Sequence, residues 1–115
     1  MFQLPANVRV FLALGATDLR KGFDGLQGLV LESVGQDPLS GDLFLFLNRS
    51  RDRLKILQWD GDGFWLHMKR LERGNFQTLP AGEAKAAELT RAQLALLLEG
   101  VDLFAKQRNR YRRPA

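Results

Sequence analysis

The sequence predicts a small α+β domain: a mainly antiparallel sheet of four to five strands, two helices and a basic C-terminal tail. Three observations predict it. Leu54 to Gly74, LKILQWDGDGFWLHMKRLERG, has two aliphatic and aromatic runs on either side of Asp60-Gly61-Asp62-Gly63, the pattern of a tight β-hairpin. Two short apolar runs, VRVFLAL at 8–14 and LFLFL at 43–47, are strand-like and not helical in period. Two segments, from Thr17 and from Thr90, carry helix-start signals followed by apolar residues at helical spacing. At 115 residues the chain is one domain, with residues 1–102 forming the domain and 103–115 the tail.

In order, Val8–Leu14 is a strand apolar on both faces, hence internal. Thr17 caps the first helix, and Asp18 in its first turn suits the helix dipole. Leu19, Phe23, Leu26, Val30 and Val34 make its buried stripe. Gly22, Gly25 and Gly28 weaken that helix by roughly 1 kcal/mol each relative to alanine. Close approach of a neighbouring backbone, an early bend, or a helix regular only after Gly25 would account for them. Gly35-Gln36-Asp37-Pro38 ends the helix. Leu43–Leu47 is a central strand, and Asn48–Arg53 an arginine-rich loop.

In the hairpin the turn closes on Asp60-Gly61 or on Gly61-Asp62. Lys55, Leu57, Trp59, Phe64, Leu66 and Met68 share the face expected to look into the core. Leu54, Ile56, Gln58, Trp65, His67 and Lys69 share a half-covered face or contact surface. Phe76–Leu79 is placed as a short edge strand, and 81–88 as a linker or loose helical segment. Thr90 and Gln93 form a capping box, with Leu89 and Leu94 as a hydrophobic staple. Leu94, Leu97, Leu98 and Val101 then make the buried stripe, and Gly100 the stop.

Composition narrows the function classes. No cysteine is present, which excludes disulfides, thiol catalysis and thiolate metal sites, and there is a single histidine. No apolar run is long enough to cross a membrane, and no secretory signal is visible, which fits a cytoplasmic protein. The net charge is +4, but Lys106, Arg108, Arg110, Arg112 and Arg113 give the tail +5, leaving 12 basic and 13 acidic residues elsewhere. Such a tail binds phosphate or acidic protein surface, or is a solvated end.

No catalytic constellation stands out. His67 lacks a nucleophile in a recognisable motif, and the glycine series lacks the Gly-Lys-Ser/Thr ending of a phosphate loop. Asp60 and Asp62 are accounted for by the turn, and Asp18 and Asp24 do not share a helix face well. A small metal-dependent nuclease built on these four aspartates is the weakest reading; no metal or cofactor is expected. The basic residues carry more signal. Arg20 and Lys21 open the first helix; Arg49, Arg51 and Arg53 alternate before the hairpin; Lys69, Arg70 and Arg73 return to the same end of it. With the tail they form a candidate phosphate-binding surface, against the plainer alternative that Asp52 and Glu72 make ordinary surface ion pairs with them. Trp65 and His67 are the candidate partner contact, Trp65 also being able to stack on a base.

Three blocks, TDLRKGFDGL at 17–26, LKILQWDGDGFWLHMKRLERG at 54–74 and LTRAQLALLLEGVD at 89–102, resemble the accessory proteins usually called TnpB in bacterial insertion sequences of the sixty-six family, encoded by the second open reading frame. These are unrelated to the RNA-guided nucleases that share the label. The resemblance runs from about Val8 to Arg113. The sequence departs from the family pattern at Leu79–Glu88, where members often have tryptophan-proline and an acidic loop. It departs again at Leu103-Phe104, where a tryptophan is usual. The resemblance implies a non-catalytic transposition factor working beside a separate, larger transposase and another accessory protein of the element. It would contact DNA, the transposase, or both, and be nucleoid-associated where it binds DNA. The alternative is a pure protein–protein adaptor without DNA contact.

Overall fold

The computed structural model describes residues 5–78 and 82–99. Five strands form one sheet: β1 (Val10–Ala13), β2 (Leu43–Leu47), β3 (Arg53–Trp59), β4 (Phe64–Arg70) and β5 (Ala86–Leu89), in the spatial order β4-β3-β2-β1-β5. β1 and β2 are parallel, and every other pairing is antiparallel. Helix α1 (Phe23–Leu29) widens into π-helical turns at Val30–Val34, and helix α2 (Arg91–Leu98) follows β5. The α+β class holds, with a mixed five-stranded sheet.

Each face of the sheet is covered by one helix. Phe11, Ala13, Phe44, Phe46 and Leu57 pack under Leu26 and Val30 of the α1 segment. Val10, Leu12, Leu43, Leu45, Leu47, Leu54 and Ile56 pack under Leu94, Leu97 and Leu98 of α2, with Leu89 and Phe76 completing the cluster. This is why β1 and β2 are apolar without alternation: both of their faces are buried.

The hairpin register is one of the two expected, with Trp59 opposite Phe64 and Lys55 opposite Met68. Asp60 N–H donates to Gly63 C=O at 3.0 Å, so the turn closes on Gly61-Asp62, and Gly61 takes the positive φ of 109°. The expectation of one core face is corrected. With helices on both sides, Leu54 and Ile56 of the supposedly half-covered face are buried, while Met68 of the supposed core face is 58% exposed.

Three boundaries differ from the sequence reading. α1 starts at Phe23 with Gly22 as its N-cap, not at Thr17. Thr17 N–H is instead spent on Leu47 C=O at 2.8 Å, and Asp18 Oδ1 accepts from Arg20 N–H at 3.0 Å, folding 18–21 into a side-chain-closed turn. Phe23, placed in the buried stripe, is accordingly 46% exposed. The late start removes Gly22 from the helix. Among the described residues no neighbouring backbone approaches Gly25 or Gly28: a Cβ at Gly25 would meet the Lys21 side chain, and one at Gly28 would meet nothing within 4 Å.

The segment expected to be linker or loose helix contains strand β5, whose Ala86–Leu89 pairs with Ala13–Val10. Alanine, lysine and glutamate are good helix formers, but that preference is worth only tenths of a kcal/mol per residue, and pairing with the open edge of β1 outweighs it. Conversely, 76–78 form no strand: Phe76 is a fully buried plug whose N–H donates to Arg51 C=O at 2.6 Å. The capping box at α2 is present as read, with Gln93 N–H to Thr90 Oγ1 at 3.1 Å and Thr90 N–H to Gln93 Oε1 at 2.9 Å. Leu79, Gly100, Val101 and the tail lie outside the described residues.

Candidate nucleic-acid interface

Strand directions decide which side chains share an end of the sheet. The C-terminal ends of β1, β2 and β4 and the N-terminal ends of β3 and β5 lie together. The connections 14–22, 48–52 and 71–78 therefore meet there. So do Arg20, Lys21, Arg49, Arg51, Arg53, Arg70 and Arg73, seven of the predicted cations, together with Lys85, which sequence reasoning missed because β5 was not foreseen.

The 48–52 loop is held by its own polar groups. Asn48 Oδ1 accepts from Asp52 N–H at 3.1 Å and Arg53 N–H at 3.0 Å, while its Nδ2 donates to Asp52 Oδ1 at 2.7 Å. Ser50 Oγ donates to the same carboxylate oxygen at 3.0 Å. These bonds from Asn48 and Ser50 hold the Asp52 carboxyl below the ordinary carboxylate range. Arg51 sits at φ 58° in the left-handed region, and its C=O accepts from Phe76 N–H. Leu71 N–H donates to Asp52 C=O at 2.8 Å, and Asn75 Nδ2 to Ser50 C=O at 2.5 Å. A rigid frame thus presents Arg49 and Arg51 to solvent. They line a cleft of about 200 Å³ with Gly15, Ala16, Leu47, Asn48 and Thr78, below the usual volume of a small-molecule pocket.

The predicted cations divide into paired and unpaired. Arg20 clasps Asp18, with Nη2 to Oδ2 at 2.8 Å and Nε to Oδ1 at 3.0 Å. The Arg20 hydrogen bonds pull the Asp18 carboxyl down to about 2, and Asp18 raises Arg20 in return. Arg70 pairs with Glu72 at 3.0 Å. Lys69 donates to the C=O of Leu98 at the C-terminal end of α2, where a cation suits the helix dipole. Arg49, Arg51, Arg53, Arg73 and Lys85 make no ion pair among the described residues. Arg53 stands directly opposite Arg70, an unfavourable like-charge pair that a bound anion would relieve. Asp52, an ion-pair partner in the plainer alternative, is instead bonded to Asn48 and Ser50, whereas Glu72 does pair with Arg70 as that alternative has it. The tail cations Lys106, Arg108, Arg110, Arg112 and Arg113 lie outside the described residues; Glu99, the last described residue, follows Leu98 at this same end.

Trp65 and His67 lie elsewhere, on β4. Their rings stack with centroids 6.0 Å apart and planes 11° from parallel. Trp65 is 55% exposed, and its Nε1–H donates to Asp60 Oδ2 at 2.6 Å. That bond is the foremost reason the Asp60 carboxyl sits below its ordinary range. The four aspartates of the nuclease reading do not converge: Asp18 and Asp24 flank the start of α1, while Asp60 and Asp62 are at the opposite end of the sheet. Among the described residues no group of three or more His, Cys, Asp or Glu is placed to hold a metal ion, and no helix is long and apolar enough to cross a membrane.

The fold and this end of it define a class: a small α+β protein whose distinctive surface is cationic. The particular family is that of the IS66 Orf2 like protein, to which the chain belongs, the family model matching residues 8–108. The chain is similar to "Uncharacterized protein y4hO" of Sinorhizobium fredii, 46% identical over 96 residues, 84% of this chain and 83% of that one. It is also similar to "Uncharacterized protein y4jC" of the same organism, 35% identical over 108 residues, 94% of this chain and 92% of that one. No solved structure matches it. Membership gives the chain an accessory role in insertion-sequence transposition.

Proposed function

We propose that this accessory protein binds DNA phosphates through the cationic end of its sheet, extended by residues 103–115, and supports a separate transposase without catalysing a step itself. One observation carries the reading: Arg49, Arg51, Arg53, Arg73 and Lys85 gather at one end with no acidic partner among the described residues, Arg49 and Arg51 on a loop fixed by Asn48. Phosphate contacts need cations that are unpaired and held in place. Residues 103–115 carry five more cations, and Leu98 and Glu99, the last described residues before them, lie at this end.

The test is fluorescence-anisotropy binding to a duplex of the element's terminal repeat and to a scrambled duplex, across salt concentrations, with the full chain and a chain ending at Asp102. Expected is binding with a steep salt slope that is much weaker in the truncated chain; a preference for the repeat would add end recognition. Absence of binding at low salt sinks the reading. The exposed Trp65–His67 stack favours a second reading, an adaptor docking on the transposase through β4. In that case Trp65→Ala abolishes co-purification with the transposase and the wild type binds no DNA.

A further inference from the structure

The outer edge of β4 carries the furthest inference. β4 is seven residues long, contains no proline, and pairs without a bulge from Phe64 to Arg70. It is the last strand on its side of the sheet among the described residues. Two of the exposed large apolar side chains, Trp65 and Met68, project from its opposite faces. Natural edges are usually blunted by proline, bulges or shortness; this one is limited only by Lys69 and Arg70 at one end.

The hydrogen bonding fixes which backbone groups are open. Gly63 C=O and Leu71 N–H bond inward to β3, at Asp60 and Asp52. Antiparallel ladders alternate, so Trp65, His67 and Lys69 also bond inward, and Phe64, Leu66, Met68 and Arg70 present N–H and C=O outward. We propose that this edge pairs antiparallel with the same edge of a second copy, about a two-fold axis at His67, joining the two sheets into one.

Charge and shape select that occupant and that register. Antiparallel pairing about His67 places Leu66 opposite the partner's Met68, and Phe64 opposite the partner's Arg70. Trp65 falls opposite the partner's Lys69. Apolar meets apolar, each aromatic ring meets the aliphatic stem of a cationic side chain, and no like charges face each other. A parallel pairing would set the two Lys69-Arg70 ends side by side. The interface is isologous, with the same residues serving both sides, so it closes at two copies. It also sets the two cationic ends at opposite poles of the dimer. The proposal does not depend on DNA binding.

Because the chain has no cysteine, a single introduced one reports the register. His67 bonds inward, so across the seam it faces its counterpart in a non-hydrogen-bonded pair, with Cα atoms about 4.5 Å apart, within disulfide reach. Full-length His67→Cys is expected to form a covalent dimer on mild oxidation, whereas Gln58→Cys, on the same face but one strand inward, does not. Sedimentation equilibrium of the nucleic-acid-free wild type at high salt is expected to show two-chain mass as concentration rises. Met68→Lys, at an exposed position, should raise the dimer dissociation constant at least about tenfold while leaving the circular dichroism unchanged, since it sets a charge against the partner's Leu66. Single-chain mass up to about 1 mM would overturn the proposal. So would a dimer indifferent to Met68→Lys, or cross-linking at His67→Cys no faster than at Gln58→Cys.

Discussion

Arg51 joins a left-handed backbone to a place in the proposed DNA-binding surface, and substitution can separate the two. Its φ of 58° costs an L-residue with a side chain roughly 1 kcal/mol, which glycine would not pay. Arg51→Gly is therefore expected to raise stability by about 1 kcal/mol in urea unfolding, while weakening DNA binding and lowering the salt slope by about one. Gly28 is a simpler case. It lies inside α1 with nothing within 4 Å of a Cβ, so Gly28→Ala should raise the unfolding free energy by about 1 kcal/mol and the melting temperature by a few degrees. Gly35 is the reverse: it ends the helical segment at φ 73°, and Gly35→Ala should cost about 1 kcal/mol. The exposed carboxylates set the acid limit. Asp18 is held at about 2 against an ordinary 3.8, and Asp52 and Asp60 are also lowered. A depressed acid stabilises the fold fully above its unfolded value and loses that contribution as pH falls through the folded one. Stability is thus expected to be level above about pH 5 and to decline from pH 4 towards 2, with a smaller decline in Asp18→Asn.

At the scale of elements, the start of α2 and its buried stripe through Leu98 were legible. Its Thr90–Gln93 box is local chemistry, and Thr90→Ala is expected to cost about 1 kcal/mol, read as a lower denaturant midpoint at unchanged slope. The hairpin and the residues sharing each of its faces were readable too, while the choice between the two turn positions came only with the Asp60–Gly63 hydrogen bond. What failed did so for one reason. Thr17 has the composition of a cap, but its N–H is claimed by Leu47, thirty residues on. Ala86–Leu89 has the composition of a helix, but lies beside β1, more than seventy residues earlier. Phe76 looks like a strand residue, yet plugs a core whose other buried members come from β1, β2, β3, β5 and α2. In each case a distant partner outweighed a preference worth tenths of a kcal/mol per residue. The candidate site divides likewise. Its arginines were visible as charge, but the Asn48 frame and Lys85 become meaningful only once the strands are ordered.

Across the whole molecule, charge is arranged by end. Arg9 is matched by Asp42 at the end where β1 and β2 begin, with N–H to Oδ1 at 2.9 Å and the guanidinium 3.2 Å from Oδ2. At the other end, Arg49, Arg51, Arg53, Arg73 and Lys85 have no ion-pair partner among the described residues. Neutralising Arg49 and Arg53 to alanine should weaken binding to both duplexes alike and flatten the salt dependence, leaving thermal stability within about 0.5 kcal/mol. The parallel seam between β1 and β2 has a further consequence, one of timing during synthesis. β1 sits between strands that begin at Leu43 and Ala86, so the first strand to leave the ribosome is the one whose second neighbour arrives last. At about 5–20 residues per second, the VFLA edge stays open for several seconds while the rest of the chain is made. A nascent chain stalled before residue 86 is expected to recruit hydrophobic-binding chaperones, and one released after α2 to shed them.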